Sequence, residues 1–159
     1  MPSTVVCLYD SGANCHVFND SADFKLYQTM LLITVQGFGT DFSITAIGHG
    51  NIQLCTKHGA QSSTLLLTNV LHIPHARSNL ISGTQLAKHN VFATLRDDGL
   101  MLSLHGIPFL DSSVQRGMYQ LNVKAIRPSL TPPTLFLLCV DLNSIAVPDH
   151  TVKPDFCIT

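Results

Sequence analysis

The chain has 159 residues and sets 10 acidic side chains against 9 Lys and Arg, for a net charge of −1. That length holds one domain with a sizeable core, and the balanced charge lacks the basic stripe of an electrostatic nucleic-acid binder. No run of about twenty apolar residues offers a membrane span, and residues 1–9 lack the features of a signal peptide, so the expectation is a cytoplasmic protein without a membrane partner.

The run Val5-Val6-Cys7-Leu8-Tyr9 reads as a buried strand that ends in Asp10-Ser11-Gly12-Ala13. Two readings of Asp10 stand. In one it caps its own turn through its carboxylate. In the other it is a partly desolvated acid around which Gly12 lets backbone N–H groups close. Asn19 to Asp23 is polar and reads as a loop or a single helical turn. His16 is either a structural histidine or a ligand or base, and no partner ligand stands at helical or hairpin spacing from it. Five cysteines without a C-x-x-C pair argue against a disulfide framework. Cys7, Cys15 and Cys55 read as small core residues.

Met30-Leu31-Leu32-Ile33-Thr34-Val35 and Phe42-Ser43-Ile44-Thr45-Ala46-Ile47 are strands joined through the Gly-rich segment 36–41, a hairpin with Gly37, Phe38 and Gly39 at its tip. Gly48 and Gly50 mark a bulge where strands pack closely. Asn51 to Cys55 alternates as a half-buried strand, 57–63 is a loop, and Thr64–Leu67 and Val70–Ile73 are strands, the second stopped by Pro74. His72 and His75 have a His-x-x-His spacing, but a zinc site needs two further ligands and none can be nominated. Ser82-Gly83-Thr84-Gln85 has the form of a capping box that opens a short helix. Val91–Leu95 and Leu100–Leu104 flank an Asp-Gly turn, where Asp97 and Asp98 are turn formers in water. Tyr119, Leu121 and Val123 alternate along a last strand. Many short strands with one helix predict an all-β fold, a small closed β-barrel over residues 1–124. From residue 125 onward prolines punctuate a tail that holds the apolar run Leu135 to Val140.

Three blocks together resemble a known family. Leu8-Tyr9-Asp10-Ser11-Gly12-Ala13-Asn14-Cys15-His16, then Asn69-Val70-Leu71-His72-Ile73-Pro74 with Ser78-Asn79-Leu80-Ile81-Ser82-Gly83, then Gly117-Met118-Tyr119-Gln120-Leu121, are similar, in the same order, to the aspartic protease domain of copia-type retrotransposon Gag-Pol polyproteins. The resemblance implies a barrel of the retroviral protease type in which Asp10 is the catalytic carboxylate. Ser11, Gly12 and Ala13 would form its loop, Ile81 and Gly83 would thread beneath and support it, and Gly37, Phe38 and Gly39 would be the flap over a peptide or polyprotein substrate.

Peptide hydrolysis of this kind needs two carboxylates sharing one proton. A chain with one Asp-Ser-Gly therefore implies a C2 homodimer. No cofactor or metal is implied. The alternative is a non-catalytic β-barrel, a fragment of a degenerate polyprotein that serves as a binding module or has no activity. A metal-dependent hydrolase built on the histidines is a further class, and no G-x-S-x-G elbow suggests a serine hydrolase.

Overall fold

A computed structural model describes residues 2–36 and 43–128. The hairpin tip at Gly37, Phe38 and Gly39, and the tail from residue 129, lie outside the described residues. The strands are β1 (Pro2–Thr4), β2 (Cys7–Asp10), β3 (Val17–Phe18), β4 (Phe24–Gln36), β5 (Ser43–His58), β6 (Gln61–His72), β7 (Asn79–Ser82), β8 (Val91–Arg96), β9 (Gly99–Leu104), β10 (Ile107–Gln115), β11 (Met118–Leu121) and β12 (Val123–Ile126). One helix, α1 (Gly83–Lys88), follows β7, and a single 3₁₀ turn, Ser21–Asp23, precedes β4.

The fold is all-β, as the short alternating runs predict. The strands join in one sheet of order β1-β12-β5-β6-β3-β7-β2-β11-β10-β9-β8, with β4 attached to β5 alone. Its two ends, β1 and β8, do not pair among the described residues, so the expected closed barrel is an open sheet. The sheet nevertheless folds over: β10 returns to β5, where His58 Nδ1 lies 2.8 Å from Asp111 Oδ2. Phe18, Ile52, Leu54, Ile81, Leu102 and Leu121 are almost fully buried within one continuous core. Each such side chain contributes about 1.5–3 kcal/mol by leaving water.

Two expectations need correction. The strand expected from Met30 starts earlier, because β4 begins at Phe24, directly after the single turn expected over Asn19 to Asp23. Phe24 is the residue that fixes that start, buried edge-on against Phe18 and Tyr27. The expected loop 57–63 shrinks to a tight turn between β5 and β6, with Gly59 at φ +57°. β10 carries no clean period-2 pattern, since only Leu110 among its nine residues is buried.

The central hairpin is long and irregular. Lys25 is an extra residue on β4, because Phe24 faces Ile52 and Leu26 faces Asn51. On the other side, Gly50 faces Val70 and Ile52 faces Leu67, so the extra residue there lies on β6 at Thr68–Asn69, and Asn69 absorbs it at φ +53°. Gly48 and Gly50 do mark close packing, as expected. A Cβ on Gly48 would stand 2.3 Å from the Tyr27 hydroxyl, and one on Gly50 would fall 1.8 Å from the Leu26 carbonyl oxygen. Backbone cannot step aside as a side-chain tip can. Gly50→Ala should therefore destabilise the chain by about 2 kcal/mol or more, read as a lower urea midpoint, while Gly59→Asn at the open turn should leave the midpoint nearly unchanged.

Candidate functional site

β2 runs parallel to β7, with Cys7 opposite Asn79, Tyr9 opposite Ile81 and Asp10 opposite Ser82. Cys7 and Ile81 are fully buried. Burial, together with the charge of Asp23, pushes the Cys7 thiol up to about 12, so it is inert packing rather than a nucleophile. Cys15 and Cys55 are only half-buried. Moving outward along β2, Tyr9 and Asp10 are half-buried, and Ser11 and Gly12 are exposed. Asp10 thus stands where the core strand meets solvent.

Its carboxylate closes its own loop. Oδ1 accepts from the N–H of Gly12 at 2.8 Å and from the N–H of Ala13 at 3.1 Å. Both bonds fall on one oxygen. The turn-capping reading of Asp10 is therefore present in the structure, and it coexists with partial burial. Beside it, burial first and the Asp10 charge second raise the Tyr9 phenol above its ordinary range.

The loop after Asp10 rests on the junction of β7 and α1. Ser82 Oγ donates to the Ala13 carbonyl at 2.6 Å, and Thr84 Oγ1 donates to the same oxygen at 3.0 Å. Gln85 Nε2 donates to the Asn14 carbonyl. Ser82 also caps α1 by accepting from the Gln85 N–H at 3.1 Å. The capping box is thus half made: Ser82 plays its part, and the Gln85 side chain reaches across to the Asp10 loop instead of back to the cap. Gly83 is buried where a Cβ would stand 2.5 Å from the Tyr9 hydroxyl. Ile81 and Gly83 are brought against Tyr9, the residue before Asp10, and Ser82, Thr84 and Gln85, which the sequence marked only as a helix start, bind the loop.

His16 belongs to the same scaffold. It is buried, and its Nδ1 accepts from the Ser82 N–H at 3.0 Å. That bond requires a neutral ring with its proton on Nε2. Burial, helped by the neighbouring His89, lowers its pKa to about 4. His16 is therefore a structural acceptor at neutral pH. His72 is likewise engaged, its Nδ1 lying 2.8 Å from the Tyr27 hydroxyl and its ring among Phe24 and Tyr27, while His75 is exposed. Among the described residues no three His, Cys, Asp or Glu side chains gather in a way that could hold a metal ion. Asp97 and Asp98 sit exposed at the turn between β8 and β9.

A groove of about 410 Å³ opens beside the loop. It starts at Asn14 and His16, passes Ile33 and Val35 of β4, and reaches Leu65 to Asn69 and Leu71 of β6. The hairpin arm that leads toward Gly37, Phe38 and Gly39 therefore walls a cleft next to the Asp10 loop.

A family model described as Pol polyprotein, beta-barrel domain, matches residues 7–91, more than half of the chain, and spans Asp10 and the whole of its support. No curated protein and no solved structure matches the chain. No helix among the described residues is long and apolar enough to cross a membrane.

Two outcomes test the scaffold. Unfolded His16 takes a proton near pH 6.5, whereas the folded chain resists until about pH 4. Stability should be full above pH 6.5 and fall by up to ~1.4 kcal/mol per pH unit as pH drops toward 4. His16→Gln should flatten that slope in pH-dependent urea titrations. Gly83→Val should cost about 1–3 kcal/mol through the Tyr9 ring, and Tyr9→Leu in the same chain should return most of the loss, measured as a double-mutant cycle.

Proposed function

We propose that this chain, which belongs to the family of Pol polyprotein beta-barrel domains, is an aspartic endopeptidase of copia-type origin that acts as a two-fold homodimer. The observation that carries the reading is the placing of Asp10. A carboxylate stands at the outer end of a buried strand, on a loop fixed by Ser82, Thr84 and Gln85 and flanked by a cleft.

In the dimer, Asp10 of each copy would face the other across the axis. At such range both cannot be ionised, so the pair holds one proton. The ionised member takes a proton from a water, and that water attacks the scissile carbonyl. The protonated member donates to the carbonyl oxygen as the tetrahedral intermediate forms. Ser11 is exposed in the single chain, which suits a hydroxyl that binds the partner's loop. Ala13 would lie beside the substrate backbone, and Gly37, Phe38 and Gly39 would supply the flap. Ile81 and Gly83 hold the loop from below.

A second reading rests on the bonds of Oδ1. Because Asp10 already satisfies its own turn, the same loop is stable without a partner, as a non-catalytic binding module requires. A peptide-cleavage assay across protein concentration and pH separates the two. Protease function gives activity that rises more steeply than linearly with concentration, and Asp10→Asn lowers it by about 10³-fold or more with the fold intact by circular dichroism. Cleavage that survives in Asp10→Asn, or a strict monomer by light scattering that still cuts, removes the dyad.

A further inference from the structure

The groove beside the Asp10 loop has a feature that catalysis does not use. β6 pairs with β5 along its whole length, but on its other side it meets β3 only at Leu71 and His72. Among the described residues, no strand pairs with that side of β6 from Gln61 to Val70. An unpaired strand edge offers a row of backbone donors and acceptors. Here the edge lies along a cleft lined by Leu65, Leu66 and Leu67 of β6 and by Ile33 and Val35 of β4. Leu66 is 56% exposed, a large apolar side chain without cover among the described residues. Among the described residues that line the groove, Lys88 is the one Lys, Arg or Asp; it is exposed at the α1 end.

From these features we infer that the groove binds an extended peptide by strand addition to the open side of β6, and that it selects a segment with apolar side chains and a carboxylate side chain at the Lys88 end. Backbone pairing along 64–69 supplies register and most of the affinity. Leu66, the exposed one of the three leucines, takes an apolar side chain of the peptide, and Lys88 reads the acid. The site does not depend on a dimer, and a non-catalytic chain would keep it.

Binding is measured by fluorescence anisotropy on the full chain carrying Asp10→Asn, so that no peptide is consumed. The probes are synthetic extended peptides of alternating Leu and Thr with a Glu at one terminus or the other, the same peptides with Lys in place of Glu, and a Ser-for-Leu control. The better of the two Glu peptides should bind about tenfold more tightly than its Lys counterpart. Lys88→Glu, a change at an exposed position, should reverse that order. Amide hydrogen exchange of residues 64–69 should slow when the peptide saturates the chain, and Leu66→Lys should weaken binding. Equal affinity for acidic and basic peptides overturns the assignment, as does binding that leaves the 64–69 amides unprotected. Cleavage by the wild-type chain without this preference removes the groove and spares the protease. Binding with this preference in a chain that never cuts removes the protease and spares the groove.

Discussion

The hydroxyl of Ser82 is the point on which the site depends. It donates to Ala13 and accepts from Gln85, while the Ser82 backbone N–H is held by His16. One buried residue therefore ends β7, starts α1 and fixes the loop that follows Asp10. Its partners Ala13 and His16 lie 69 and 66 residues away in sequence. Each bond is worth only about 0.5–1.5 kcal/mol net, but an orphaned polar group here would lose its full solvation. The parallel pairing of β2 with β7 brings these groups together, so the loop's shape is a consequence of sheet topology rather than of its own sequence.

That dependence explains what could be read from the sequence and what could not. The turn at Asp10, the helix start at Ser82 and the β8–β9 hairpin are local features, set by runs of apolar residues and by turn chemistry, and the structure has them where the sequence puts them, whereas β2 begins only at Cys7 and leaves Val6 of the run from Val5 exposed. The capping residue was visible because capping acts within one turn. Its second task was not, because nothing in Ser82-Gly83-Thr84-Gln85 names a carbonyl some seventy residues earlier. The early start of β4 was hidden for a similar reason. The side chains from Lys25 to Thr29 are all exposed, so no alternation marks a strand that is held by pairing with β5.

The acid pair near the start of β2, away from the Asp10 loop, shows how the fold limits the chemistry open to Asp10. Arg127 Nε lies 2.8 Å from the buried Asp23, and its NH2 group lies 2.8 Å from Asp20. Burial pushes the Asp23 carboxyl up, and the guanidinium offsets this only in part, so it stays above the usual carboxylate range. These two acids pin the end of the described chain to the turn before β4. Asp111 is bound to His58, and Asp97 and Asp98 form a solvent turn. Each has a structural task away from the loop.

All ten acidic residues of the chain are aspartates, and among the described ones only Asp10 stands beside the cleft-forming loop without a basic partner. A single carboxylate cannot both accept a proton from water and donate one to the carbonyl in the same step. Within the described residues the fold has placed every other acid elsewhere, so in the proposed protease the second carboxylate of the dyad would come from a second copy. A two-fold axis is the least elaborate way to supply it, because the loop that presents Asp10 is exposed at Ser11 and Gly12 while everything behind it is fixed. Rigid support behind an open face is what a self-complementary contact requires: the loop must hold its shape before the second copy arrives, or ordering it would consume the binding energy of a small interface.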